Sequence, residues 1–159
     1  MQKINIIAVG RLKESFFKAA EQEYLKRLSG YCNIGITEIQ QQVLPKNPSK
    51  SDIENALDTE GKNITSKIPK GSYIVTLCIE GKKVSSTKLA EIIESNKNTS
   101  GNMTFIIGGS YGLCEEVKKL SNIRLSMSDM TFPHRLARIM LLEQIYRSYK
   151  ISEGSGYHK

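Results

Sequence analysis

The chain has 159 residues, 39% of them apolar and 25% charged, and a formal net charge of +7. That length holds one domain with a substantial core, residues 1–159, and the composition excludes a disordered or fibrous chain. No stretch reaches the apolar length of a membrane span, and the first seventeen residues lack a signal-peptide cleavage pattern, so the expectation is a cytoplasmic protein with no membrane partner.

Residues 3–9, KINIIAV, read as a buried opening strand, and residues 13–29 as a helix with Phe17, Ala20, Tyr24 and Leu28 on one side. Residues 33–39 alternate and suit a second strand. Pro45 and Pro48 then mark a loop, and Ser51 or Asp52 is the expected cap of a helix reaching about Lys67. Residues 72–79, SYIVTLCI, are strongly β. Ser85 or Ser86 starts the next helix, whose buried stripe is Leu89, Ile92 and Ile93. A strand at 103–107, a short helix near 113–120, a strand at 122–127 and a helix from Pro133 to about Tyr149 complete the series. Strict alternation of strand and helix predicts an α/β fold, a mainly parallel sheet with helices on both faces. The tail, ISEGSGYHK, is polar and glycine-rich.

Cys32, Cys78 and Cys114 are odd in number and far apart, no CxxC occurs, and only His134 and His158 are present, so no metal site is expected. Net charge is +3 for residues 1–79 and +4 for residues 80–159. After position 117, eight basic residues face three acidic ones. Such an excess suits an anionic partner such as nucleic acid, or a solvated basic surface.

Two stretches carry candidate chemistry. In "TFIIGGSYGLCEEV", Gly108, Gly109 and Gly112 follow a strand, where ligands of open α/β sheets bind. This is neither G-x-G-x-x-G nor a P-loop, so a phosphate cradle is disfavoured and a tight strand-to-helix turn remains open. In "LSMSDMTFPHRLARIMLLEQIYRSYKI", a small polar loop precedes a helix that is apolar on several sides, which calls for more than one packing partner, and a second copy of the chain is the expected one beside the sheet. Glu143 and Arg147 are four apart and suited to pair.

"IIGGSYG", "LSMSDMTFPHRLARIMLLEQIYR" and "GYHK", with "INIIAVGRLK" and "YIVTLCIEGK", closely resemble the RlmH family of SPOUT methyltransferases over essentially the whole chain. The resemblance implies a C-terminal deep trefoil knot, a homodimer, and S-adenosyl-L-methionine as cofactor. Its implied substrate is 23S ribosomal RNA within the assembled ribosome, methylated at N3 of a pseudouridine. The implied cofactor pocket comprises Thr76, Leu77 and Cys78, then Gly108 and Gly109, then Leu125, Met127, Ser128, Asp129, Met130, Thr131 and Phe132. The glycines would let backbone approach the cofactor. His158, Arg147, Glu143 and Tyr157 are the candidate catalytic residues: a proton acceptor or base-positioning group, an anion-stabilising cation, its orienting carboxylate and a stacking ring. Arg135, Arg138 and Lys159 are candidate RNA contacts. A doubly wound nucleotide-binding enzyme and a non-enzymatic basic RNA-binding module remain as alternatives.

Overall fold

A computed structural model describes residues 1–159. Strand and helix alternate throughout: β1 (Gln2–Val9), α1 (Ser15–Leu28), β2 (Cys32–Ile39), α2 (Lys50–Thr65), β3 (Tyr73–Lys83), α3 (Ser86–Asn98), β4 (Asn102–Ile107), α4 (Glu115–Lys119), β5 (Ile123–Ser126) and α5 (His134–Ser152). The five strands form one sheet in the order β2-β1-β4-β3-β5, and every neighbouring pair is parallel. This bears out the expected α/β fold. All carboxyl ends therefore lie along one edge of the sheet.

Successive residues of the central strands feed opposite faces, as the pleat requires. Ile4, Ile6, Ala8, Val75, Met103 and Phe105 join residues of α1, α3 and α5 in the larger core. Ile7, Val9, Ile39 and Ile106 join residues of α2 and α4 in the smaller one. Crossovers in one direction along the sheet use the first face and those in the other direction use the second, as a uniform crossover hand demands. Cys32, Cys78 and Cys114 are all free and buried, as expected of core thiols.

Local chemistry moves some boundaries. Helix α2 is capped by Ser49, not Ser51 or Asp52. Asp52 is instead the third helical residue, and the two side chains satisfy each other's backbone N–H groups at 2.9 and 3.0 Å, a capping box. Ser85 caps α3 by accepting from the Lys88 N–H at 3.1 Å. Strand β3 runs four residues past its expected end, because it bows outward around β5. Leu125 lies opposite both Leu77 and Lys82. A Cβ on Gly81 would stand 2.7 Å from the Arg124 carbonyl oxygen, so only glycine lets the two backbones pass.

Helix α5 lies on the sheet between α1 and α3. Leu141, Leu142 and Ile145 are wholly buried there. Three partners within one chain thus account for apolar residues on several sides of α5, and this packing does not require a second copy. Arg138 fixes the helix. Its Nε donates to Glu21 of α1 at 2.6 Å and its Nη1 to Glu38 of β2 at 2.8 Å, and it is 4% exposed. The expected RNA-contact role does not fit this placement, since both carboxylates already occupy the guanidinium. The polar, glycine-rich tail is ordered. It folds back onto α5, where the Tyr157 ring meets Tyr146 edge-on at 5.2 Å.

Candidate functional site

The segments after β3, β4 and β5 converge at the carboxyl edge around a cavity of about 800 Å³. Ten of the twelve residues expected to hold a cofactor line it: Leu77 and Cys78, Gly108 and Gly109, and six from Leu125 to Phe132. The other two lie elsewhere. Thr76 is a fully buried residue of the sheet whose hydroxyl accepts from the Cys78 thiol at 3.5 Å. Asp129 points away and accepts from Lys83 Nζ at 2.6 Å in a solvent-exposed pair. Burial pushes the Cys78 thiol up from its ordinary range, so it stays neutral and serves as wall rather than nucleophile. Ile79, Tyr111 and Met130 are 78%, 52% and 73% exposed, and together they give the cavity an apolar rim.

The glycines answer to the chain itself. A Cβ on Gly108 would collide with the backbone carbonyl of Gly112, and one on Gly109 would press on Val9 at 3.3 Å. Gly112 has φ +82°, the left-handed region, and its N–H donates to the Gly109 carbonyl at 3.0 Å. The turn therefore needs glycine to close upon itself, before any ligand arrives. It still lines the cavity with bare backbone.

His134 also borders the cavity. It is the first residue of α5, and its Nε2 is buried without a hydrogen-bond partner, about 3.9 Å from where a Gly10 Cβ would lie. Burial, and then the neighbouring Arg135 charge, lowers its pKa.

Glu143, Arg147, Tyr157 and His158 are brought together, but away from the cavity wall. Arg147 Nη2 donates to Glu143 Oε1 at 2.6 Å, and the Tyr157 hydroxyl donates to the same oxygen at 3.2 Å. The guanidinium lies over the Tyr157 ring at 4.8 Å. Arg147 Nη1 sits 3.2 Å from His158 Nδ1. A guanidinium can only donate, so Nδ1 accepts and the neutral imidazole carries its proton on Nε2. The Glu143 bond keeps Arg147 firmly protonated. Burial, then the Glu143 charge, raises the Tyr157 phenol.

Six of the eight C-terminal cations are paired, four with acids of other elements and two, Arg147 and Lys150, along their own helix or at its cap. Lys118 meets Glu80, Arg124 meets Glu115, Arg135 meets Glu14 at 3.0 Å, and Lys150 meets Glu153. With Arg138 and Arg147 also paired, Lys119 and the exposed Lys159 are the basic residues of that stretch outside ion pairs. The sequence reading missed exposed Arg11 and Lys13, in the loop after β1 on the same edge as the cavity. The signal lay in "VGRLK", a strand end followed by two cations.

The family model described as "Predicted SPOUT methyltransferase" matches residues 2–158. The chain belongs to the SPOUT methyltransferases, a family whose cofactor is S-adenosyl-L-methionine. Within it, the chain is 48% identical over 157 residues to the ribosomal RNA large subunit methyltransferase H of Clostridium botulinum (strain Alaska E43 / Type E3), covering 98% of this chain and 99% of that one. Proteins of the same name from Clostridioides difficile (strain 630) and Carboxydothermus hydrogenoformans are 46% and 44% identical, each with 99% of its length covered and with 98% and 99% of this chain covered.

Two outcomes test this geometry. Gly108→Ala should destabilise the fold by about 2 kcal/mol or more through overpacking, while Gly35→Ala in β2, with open space at its Cβ position, should change it by less than about 1 kcal/mol. Urea unfolding of the two variants measures the difference. For His134, the folded pKa lies below the unfolded value, so the unfolded chain takes up the proton first as pH falls. The neutral-imidazole contribution to stability is intact above the ordinary histidine pKa and is lost as pH drops below it. Urea midpoints should therefore fall more steeply from pH 7 to pH 5 for wild type than for His134→Gln.

Proposed function

We propose that this chain is an S-adenosyl-L-methionine-dependent methyltransferase of large-subunit ribosomal RNA, acting as a cytoplasmic homodimer on N3 of a pseudouridine in the assembled ribosome. One observation carries the reading. The cavity sits where three loops meet at the carboxyl edge of a parallel sheet, in a chain whose relatives bear an rRNA methyltransferase name over their full length. The C-terminal trefoil knot that the resemblance implies is part of this reading.

The residues fit the cofactor. Leu77, Leu125, Met127 and Phe132 offer apolar walls to an adenine ring, and the glycine turn offers bare backbone to its polar edge. When bound, S-adenosyl-L-methionine supplies a methyl group on a sulfonium, open to in-line displacement. The chain has to hold the acceptor nitrogen about 3 to 3.5 Å from that methyl, in line.

The cavity and the tail group lie apart within one chain, so the second copy is the natural source of Tyr157 and His158. The apolar rim of Ile79, Tyr111 and Met130 supports docking at the cavity mouth. Tyr157 would stack on the target base. His158 would donate its Nε2–H to a carbonyl of the base, because Arg147 already occupies Nδ1. Arg147, held by Glu143, would stabilise the negative charge that develops as the N3 proton departs to water. The new N–CH₃ bond forms as the sulfur–methyl bond breaks, and the pair of electrons stays on sulfur. Arg11, Lys13, Lys119, Lys159 and the partly exposed Arg135 are among the cations available to phosphates.

Deletion of residues 156–159 should slow single-turnover methyl transfer to saturating ribosomes by about 100-fold or more, with cofactor affinity within about twofold of wild type. A rate unchanged by the deletion contradicts the assignment.

A further inference from the structure

Among the residues lining the cavity, Glu80 and Lys118 are the only carboxylate and the only ammonium, and no arginine is present. They belong to different walls, Glu80 to the bowed end of β3 and Lys118 to α4. Lys118 Nζ donates to Glu80 Oε1 at 2.6 Å, with the lysine side chain 20% exposed and the glutamate 54%. The bond to Lys118 lowers the Glu80 pKa, and the bond to Glu80 raises that of Lys118, so both groups are charged at neutral pH. Each also has capacity left. The ammonium has used one of three donors on a side chain, and Glu80 Oε2 accepts from no other side chain.

An adenosyl thioether or sulfonium with an amino-acid end has two unlike halves. The adenosine half suits apolar walls and backbone. The amino-acid half is a zwitterion and needs both signs of charge a few ångströms apart, where burial makes each worth most. The cavity meets that need in one place.

The geometry points to the Glu80–Lys118 pair as the subsite that selects the amino-acid end of the ligand, with Lys118 donating to its α-carboxylate and Glu80 Oε2 accepting from its α-ammonium. This rests on the reading that the cavity takes S-adenosyl-L-methionine. The pair need not open, since each partner uses a free position. The result is an antiparallel arrangement of two ion pairs, and neither charge is left alone in the wall.

The test compares two ligands by titration calorimetry on the full chain. S-adenosyl-L-homocysteine keeps the amino-acid end, and 5′-methylthioadenosine has the same adenosine and thioether without it. Wild type should prefer the first by about tenfold or more, and Lys118→Met and Glu80→Gln should each erase most of that preference while leaving 5′-methylthioadenosine within about twofold. Lys118→Arg should retain it. Thermal unfolding of each variant shows that the wall still folds. Equal weakening of both ligands would mean that the pair only ties the two walls together, and the inference falls. Unchanged affinity for S-adenosyl-L-homocysteine overturns it as well. If wild type binds neither ligand, the cofactor reading itself fails, and this inference with it.

Discussion

The molecule is organised around places where backbone runs directly against backbone. Gly81 of β3 lies against Arg124 and Leu125 of β5, and Gly108 lies against Gly112 within its own turn. Side chains normally keep strands and turns apart by several ångströms. Removing them here draws the ends of β3, β4 and β5 into one compact edge, and the cavity is the space those three ends leave. The all-parallel sheet is the precondition, because it places all three ends on the same side. Hence a glycine that first looks like a ligand contact is a condition for the cavity to exist.

Charge is distributed by the same economy. The C-terminal third reads as a basic tract, yet half of its cations are neutralised by acids in or beside α1, β2, β3 and α4. Arg138 is the extreme case, a desolvated guanidinium between two carboxylates that locks α5 to α1 and β2. Breaking such a triad leaves an uncompensated buried charge, which is costly. The cations left for a polyanion are fewer and lie elsewhere, with Arg11 and Lys13 beside the cavity edge.

The alternation of strands and helices was legible because it rests on local periodicity: continuous apolar runs in doubly covered strands and helical spacing in α1 and α3. The pocket segments were legible through the resemblance, and ten of twelve residues line the cavity. What failed to show were facts of long-range pairing. Arg138 meets partners 117 and 100 positions away, so nothing near it in sequence distinguishes it from a surface arginine. Thr76 adjoins two pocket residues but belongs to the sheet interior. The several-sided apolarity of α5 suggested a second copy, whereas α1, α3 and the sheet fill that role. The fold of the polar, glycine-rich tail did not show in the sequence because its order comes from Tyr146, Glu143 and Arg147, not from any propensity of its own.

The central claim is that a working site combines the cavity of one copy with the tail of another. Equal co-expression of a cavity-blocked chain, Met127→Arg, with a chain lacking residues 156–159 tests it directly, read as methyl transfer to ribosomes. Each variant alone should be nearly inactive. If the tail acts across the dimer, random pairing makes half the dimers mixed, and each mixed dimer holds one complete site of two, so about a quarter of wild-type activity should return. No recovery in verified mixed dimers, with each parent inactive, would contradict the account and place cavity and tail in the same chain.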